Sequence, residues 1–373
     1  MSFRQPFDWH DWNDIYNRIY SQSAEDVERA LHHPERNVID FMAFISPVAE
    51  RYLPAMLEQS RALTQQRFGK RIQLYAPLYL SNYCDNGCVY CGYRIDNPIK
   101  RIVLNSGQIV REIRVLNDHG IRNVLLLTGE SKRHADIEYL TEAVKLVRMY
   151  FNTISVEVQP MTCDEYATLK SEGVNGVYIY QETYRREHYR TYHPKGMKSH
   201  FYYRLETPDR IASAGIEKIG LGTLIGLEDW RTDAYFAALH LHYLKETYPY
   251  IRRSISFPRL RPAESGIQPN VTISDKQLLQ LMCAYRLCNP TLEMSLSTRE
   301  RAHFRDEAFT YGITSLSAGS KTNPGGYAQF PSSLEQFEIS DNRSPKQIAA
   351  MLAHRGYEAI WDAPEYEIPH HFT

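Results

Sequence analysis

The pattern of apolar and polar positions changes character near residue 70. Before it, the spacing is helical. Ser23 with Asp26 three residues on forms a capping-box start, and Val27, Ala30 and Leu31 follow at helical intervals. Pro47 suits the first turn of a helix running to Phe68, where Gly69 supplies the stop. From Ile72 onward, short β-rich apolar runs alternate with amphipathic stretches. Eight strands are predicted, at residues 72–80, 123–127, 154–159, 176–180, 218–224, 254–259, 292–297 and 313–317. The intervening helices carry their own punctuation. Thr162 pairs with Glu165 and Gly173 ends that helix; Thr207 precedes Pro208 as an N-cap, with Gly215 as the stop. Ser274 pairs with Gln277 ahead of Pro290, and Thr298 opens a helix that Gly312 ends.

Strand–helix alternation of this kind argues for parallel strands joined by right-handed crossovers. Eight such units close into a (β/α)8 barrel. An open doubly wound sheet has the same periodicity and stays open as an alternative. The expected organisation is α/β: a helical N-terminal extension over residues 1–70, a TIM-type barrel over 71–320, and a C-terminal segment over 321–373 packing on the barrel. In either architecture the chemistry belongs at the carboxyl ends of the strands.

Composition narrows the function classes. The chain has 373 residues, 43 basic and 44 acidic side chains and a net charge of −1, which gives no bulk attraction to nucleic acid or anionic membrane. The most apolar run, residues 124–127, is far too short to span a bilayer, and the polar start from Met1 to Trp12 shows no secretory signal. Six cysteines in a chain this long do not make a disulfide scaffold. Three of them, however, crowd onto one loop after the first strand.

That loop reads Cys84-Asp85-Asn86-Gly87-Cys88-Val89-Tyr90-Cys91, a C-x3-C-x2-C spacing. Thiolates are soft ligands suited to zinc or iron–sulfur clusters. Structural zinc wants four protein ligands, and no fourth Cys or His lies near in sequence. A [4Fe–4S] cube held by three cysteines leaves one iron open to a substrate or cofactor. Gly87 and Gly92 let the loop wrap closely. The open cluster ranks first, zinc completed by a distant residue second, and unconnected core cysteines last.

With an aromatic residue, Tyr90, before the last cysteine, this motif resembles that of the radical S-adenosylmethionine (SAM) enzymes. In them the unique iron chelates SAM, and one electron splits the sulfonium to give a 5'-deoxyadenosyl radical. Thr128-Gly129-Glu130 after strand two resembles the family's Gly-Gly-Glu segment, which contacts the SAM amino group; Thr128 departs from it. The stretch from Gly222 to Gly226 after strand five resembles the adenine-side segment. The resemblance goes further. Tyr79-Leu80-Ser81-Asn82, Tyr180-Gln181-Glu182-Thr183-Tyr184, Phe257-Pro258-Arg259-Leu260-Arg261-Pro262, Leu296-Ser297-Thr298-Arg299-Glu300 and Lys321-Thr322-Asn323-Pro324-Gly325-Gly326-Tyr327 together are similar to the 2-iminoacetate synthase family, and so is the start at Trp9-His10-Asp11-Trp12. These are the tyrosine lyases of thiamine thiazole biosynthesis. The tyrosine lyases that mature [FeFe]-hydrogenase carry further C-terminal cysteines, whereas the last cysteine here is Cys288.

The resemblance implies cleavage of the Cα–Cβ bond of L-tyrosine to 2-iminoacetate and p-cresol, with 5'-deoxyadenosine and methionine as by-products. It implies Cys84, Cys88 and Cys91 as cluster ligands, and Glu130, Gly222 and Gly226 on the SAM side. Arg299, at the end of strand seven, falls at the family's carboxylate site, where guanidinium binds carboxylate bidentately, and Ser317 is a second donor. An arginine at a helix start is electrostatically misplaced unless an anion is near. Glu157 and Gln159 share one face of strand three and serve SAM ribose or a structural hydrogen bond, as do Gln181 and Glu182. Arg259 and Arg261 serve SAM or an ion pair. Tyr75 and Tyr79 are expected in the barrel core. Cys163, Cys283 and Cys288 are read as packing residues, and His193, Lys195 and Lys198 as a solvated basic loop. Implied partners are thiazole synthase, which takes up the unstable imine, and a flavodoxin-type reductase as electron donor. An oxidisable cluster calls for a reducing compartment, the cytoplasm. A radical SAM enzyme of another aromatic amino acid and a non-catalytic iron–sulfur protein are the competing readings.

Overall fold

The computed structural model describes residues 2–260, 267–330 and 335–362. All eight expected strands form: β1 (Arg71–Ser81), β2 (Asn123–Thr128), β3 (Thr153–Glu157), β4 (Gly176–Tyr178), β5 (Lys218–Gly222), β6 (Arg252–Ser256), β7 (Glu293–Leu296) and β8 (Ser315–Ser317). Every pairing is parallel. β1 pairs with both β2 (Ala76 opposite Val124) and β8 (Gln73 opposite Ser315), so the sheet closes into a barrel and the open-sheet alternative falls. A ninth strand, β9 (Glu358–Ile360), pairs with the first residues of β1 (Arg71 opposite Glu358) outside the barrel. Three residues carry no readable periodicity, so the sequence did not announce it.

Helix starts follow the capping chemistry where the cap residue is free to cap. Ser23, Thr162 and Ser274 each accept from the amide three residues on, and Asp26, Glu165 and Gln277 reach back. Two expected caps fail. Thr207 is not an N-cap, because a short helix (Phe201–Leu205) leads into Thr207–Ser213. The Thr207 hydroxyl instead donates to the Tyr203 carbonyl at 3.0 Å, as an in-helix threonine does. Thr298 does not cap either. Its amide donates to Ser317 Oγ at 3.0 Å and its carbonyl accepts from Ser340 and Asp341, so residues 297–300 close a single turn, with Glu300 N on the Ser297 carbonyl (3.2 Å), and the helix starts at Ala302.

The N-terminal helices Trp12–Tyr20, Val38–Ile45 and Leu53–Phe68 pack on the barrel helices Trp230–Thr247 and Asp275–Cys288. This explains why residues 278–287 are buried on every side of their helix rather than on one stripe. The seam is tied by polar groups. Gln280 Nε2 donates to the carbonyls of Phe44 (2.7 Å) and Ser46 (2.8 Å), and Arg231 Nε donates to that of Ile45 (2.7 Å). Each large apolar side chain buried there contributes roughly 1.5–3 kcal/mol. No helix among the described residues is long and apolar enough to cross a membrane.

Candidate functional site

The loop that follows β1 is held from three sides. At its base, Asn82 Nδ2 donates to the Lys100 carbonyl (2.8 Å), and Arg101 donates to the carbonyls of Asn82, Tyr93 and Arg94. On one flank, the backbone of residues 192–198 runs along it: Gly87 N donates to the Lys195 carbonyl (3.2 Å), Val89 N to that of Tyr192 (3.1 Å), and Lys198 N to Asn86 Oδ1 (3.0 Å). On the other flank lies the turn after β2. A side chain at Gly129 would place its Cβ 2.1 Å from the Tyr83 carbonyl oxygen, so only glycine permits this approach.

Held this way, Cys84, Cys88 and Cys91 line one pocket at the carboxyl end of the barrel. All three are free thiols. Burial pushes the Cys84 thiol up to about 12, with Glu130 adding to the shift, and raises Cys88 and Cys91 as well, although Lys198 opposes it at both. Among the described residues no three Cys, His, Asp or Glu side chains converge on a single metal ion. A cube-shaped cluster takes one thiolate per corner and suits three soft donors spaced around one pocket.

Beside the thiols lies a buried ionic network. Glu130 Oε1 accepts from Arg204 Nη1 (2.8 Å) and Oε2 from Asn86 Nδ2 (2.8 Å); Lys198 Nζ lies 2.7 Å from Glu182 Oε1. Burial alone would raise the Glu130 carboxyl, but Arg204 and Lys198 outweigh it and hold it below its usual range. Glu182 has φ of 70°, a left-handed conformation that costs a non-glycine residue about 1–2 kcal/mol. The basic-loop expectation therefore needs correction. Lys195 is exposed, but Lys198 and His193 are buried, because this segment turns inward against the cysteine loop. His193 Nδ1 bonds the Tyr189 carbonyl (2.8 Å), and its Nε2 lies 2.9 Å from the Tyr90 hydroxyl. Lys198, Arg204, Asn86 and His193 were missed as site residues, since long-range contacts alone bring them in.

A second, deeper pocket adjoins the first. Tyr75, Tyr79, Leu125, Leu127, Ser297 and Ser317 line it, while Glu157, Tyr180, Arg299, Gln336 and Phe337 line both. Arg299 stacks on Phe337, its Cζ 3.4 Å from the ring centroid. No carboxylate of the described residues forms a salt bridge with it. Burial lowers its pKa, while Tyr79 and Glu157 pull the other way. Ser317 Oγ accepts from the Thr298 amide, which leaves its own hydrogen for the pocket. Gln336 arrives from the C-terminal segment, where its Oε1 accepts from Tyr79 (2.8 Å) and its Nε2 approaches Cys91 Sγ (3.7 Å). Tyr75 and Tyr79 are thus pocket walls rather than inert core.

Other expected residues sort themselves. Gly222 and Gly226 do not line the pocket. Gly222 leaves room for the Tyr180 ring, Gly226 takes φ of 130°, and Leu224 between them faces the thiols' pocket. Arg259 is committed to ion pairs with Glu300 and Asp275, and Arg261 lies outside the described residues. Gln159 donates to the Ala135 carbonyl (2.6 Å) and does not line either pocket. Gln181 Nε2 makes a long contact, 3.5 Å, to the Phe201 carbonyl, and its backbone amide donates to that of Gly222 (3.2 Å). Cys283 is buried away from the site.

Glu157 makes no hydrogen bond or ion pair among the described residues, and it faces both pockets. Burial raises its pKa to about 7; Glu182 adds to the shift and Arg299 opposes it. The folded protein thus holds this proton more tightly than the unfolded chain, whose carboxyl titrates near 4.3. The resulting penalty is absent below about pH 4, grows as pH rises to 7, and is constant above. In the ligand-free protein, Glu157→Gln is therefore expected to raise the melting temperature at pH 8 and to leave it unchanged at pH 4. An equal gain at both pH values would contradict the assignment.

Comparison with known proteins places this geometry. Residues 78–237 match the family model "Radical SAM superfamily", and residues 256–358 match "Biotin and Thiamin Synthesis associated domain". The chain is 46% identical to 2-iminoacetate synthase of Escherichia coli (strain K12) over 94% of this chain and 93% of that protein. It is 45% identical to the Salmonella typhimurium enzyme of the same name over the same shares. Among solved structures, HydG, a maturase of the [FeFe]-hydrogenase, superposes with a TM-score of 0.86 at 31% identity, covering 98% of this chain and 81% of that one.

Proposed function

The chain belongs to the 2-iminoacetate synthase family of radical SAM enzymes, and on that premise we propose that its outer pocket holds a [4Fe–4S] cluster and SAM and its inner pocket L-tyrosine. The protein is a carbon–carbon lyase. It cleaves the Cα–Cβ bond of L-tyrosine to 2-iminoacetate (dehydroglycine) and p-cresol, with 5'-deoxyadenosine and methionine formed from SAM, and so supplies the thiazole moiety of thiamine. The cluster and SAM, when bound, supply one-electron cleavage of the sulfonium and a hydrogen-abstracting 5'-deoxyadenosyl group.

The chain's own residues bind, orient and exclude water. Cys84, Cys88 and Cys91 hold the iron. Arg204 and Asn86 each hold one Glu130 oxygen, which orients the carboxylate, and its remaining lone pairs take the SAM amino group. Thr128 beside it lines the same pocket, and its hydroxyl is buried without a hydrogen-bond partner. Glu157 accepts from the ribose hydroxyls, which removes the cost of a buried unpaired carboxylate. Gly222 and Gly226 set Leu224 against the adenine, facing Leu260. Arg299 and Ser317 take the tyrosine carboxylate. The observation that carries this reading is Arg299, a half-buried guanidinium facing both pockets with no salt bridge to a carboxylate among the described residues.

Residues 71–320 form the barrel in this proposal, with residues 2–70 and the described part of the C-terminal segment, 321–330 and 335–362, packed against it; residues 363–373 lie outside the described residues. Thiazole synthase receives the imine, a flavodoxin-type reductase supplies the electron, and a reducing cytoplasm protects the cluster. The substrate assignment is tested by offering the reconstituted enzyme L-tyrosine, L-phenylalanine, L-tryptophan and tyramine, and following the released aromatic fragment. Tyrosine alone should yield one. Skatole or indole from tryptophan at a comparable rate would point to another aromatic amino acid.

A further inference from the structure

Gln336 and Phe337 line both pockets, and their backbone is fixed by the residues that follow Cys91. Gln336 N donates to the Thr322 carbonyl (3.0 Å), which also accepts from the Tyr93 hydroxyl. A Cβ at Gly92 would lie 3.0 Å from the Gln336 carbonyl oxygen, so the two backbones are in contact. The Thr322 hydroxyl donates to the Phe337 carbonyl (3.2 Å). Packing against the cysteine loop thus aims the Gln336 side chain. It is half-buried, with Cys91 at one end of its amide and Tyr79 at the other.

The two ends of that amide are not interchangeable. A cysteine that ligates iron is a thiolate, and its sulfur only accepts. The Tyr79 hydroxyl can donate. One orientation satisfies both partners: Nε2 faces Cys91 Sγ (3.7 Å) and Oε1 accepts from Tyr79 (2.8 Å). The Tyr93 amide reaches the same sulfur (3.4 Å), so Cys91 takes a backbone donor and a side-chain donor. Any residue but proline at position 93 supplies the first, whereas the second depends on the side chain at position 336. A hydrogen bond to a ligating sulfur draws electron density from it and favours the more negative, reduced state of an iron–sulfur cluster.

We propose that Gln336 is a positioning residue that raises the cluster's reduction potential by donating Nε2–H to the Cys91 thiolate, with Tyr79 holding the amide in that orientation. This rests on the function proposed above, in that the three thiols hold a [4Fe–4S] cluster. The C-terminal segment thereby tunes the group that the cysteine loop carries. The same backbone sets Phe337 against Arg299, so adjacent residues serve the thiols and the inner pocket.

The test is an anaerobic redox titration of the reconstituted full chain, without SAM or tyrosine. Dithionite supplies one electron per cluster through mediators, and electron paramagnetic resonance reads the reduced form. Gln336→Met keeps an unbranched side chain of similar length and loses the donor. It is expected to lower the reduced-to-oxidised ratio at a fixed potential about tenfold, which is about 59 mV for a one-electron couple. Tyr79→Phe keeps the amide but frees it to turn, so it should shift the potential the same way by less. An unchanged potential in Gln336→Met at full cluster content would overturn the proposal. Should that variant fail to assemble the cluster, the unsubstituted protein decides the matter. Labelled with 15N at its glutamine side-chain amides, it should show hyperfine coupling of the reduced cluster to one such nitrogen. No coupling refutes the contact. Failure of the cluster reading shows separately, as an unsubstituted protein that binds iron and sulfide only at background.

Discussion

Arg299→Ala is expected to lower p-cresol formation at limiting tyrosine about a hundredfold while leaving tyrosine-independent cleavage of SAM in place. A free amino acid brings a carboxylate that must be desolvated on entering the inner pocket. Two charge-assisted hydrogen bonds from one planar guanidinium offset that cost, and losing both removes about 3 kcal/mol, which is the hundredfold. Arg299→Lys keeps the charge but loses the fork, so its activity should fall between the two. Thermal stability supplies the control. Arg299 is half-buried, with the Phe337 ring against it and no salt bridge to a carboxylate among the described residues, so the folded protein gains little from its charge. The melting temperature of Arg299→Ala should not fall. An unchanged KM for tyrosine, or a loss of activity matched by a loss of stability, would remove Arg299 from the carboxylate site.

Replacement of Cys84, Cys88 or Cys91 by alanine should each reduce bound iron and turnover to background, whereas Cys163→Ala and Cys288→Ala should leave both near normal. The contrast matters because the thiols are individually unremarkable: all six are free, and burial raises the pKa of Cys283 as it does that of Cys84. What separates the three is that one loop presents them to one pocket. Three-point attachment leaves no spare ligand, so each loss is complete. Iron and sulfide analysis with electron paramagnetic resonance reads this without any substrate. A near-full cluster in any of the three variants would mean that another residue supplies the ligand.

Much of this architecture was legible in the sequence, because it depends on local rules. Short β-rich apolar runs marked the eight strands, and capping boxes marked helix starts at Ser23, Thr162 and Ser274. The chemistry at the strand ends was legible for the same reason: Cys84 to Cys91, Glu157 and Arg299 each sit where a strand delivers them. What failed depends on contacts between distant segments. Thr298 looks like a cap, yet its backbone is engaged by β8 and by residues 340–341. Lys198 and His193 look like surface residues, yet the backbone of residues 192–198 is bonded to the cysteine loop, and that carries both inside. Arg204 and Asn86 look unconnected to Glu130 in sequence, yet they hold its two carboxylate oxygens in place beside the thiols. Gln336 and Phe337 come from the C-terminal segment, about which no pattern near the motifs could speak.

The central claim is that one chain couples SAM cleavage to scission of tyrosine. The most direct measurement is anaerobic. The protein is reconstituted with iron and sulfide, supplied with SAM, a reductant and L-tyrosine, and 5'-deoxyadenosine, p-cresol and glyoxylate (the hydrolysis product of 2-iminoacetate) are followed together. The account predicts that all three rise in parallel and that p-cresol and glyoxylate require tyrosine. Deoxyadenosine accumulating on an intact cluster, with tyrosine present and no p-cresol, would contradict it.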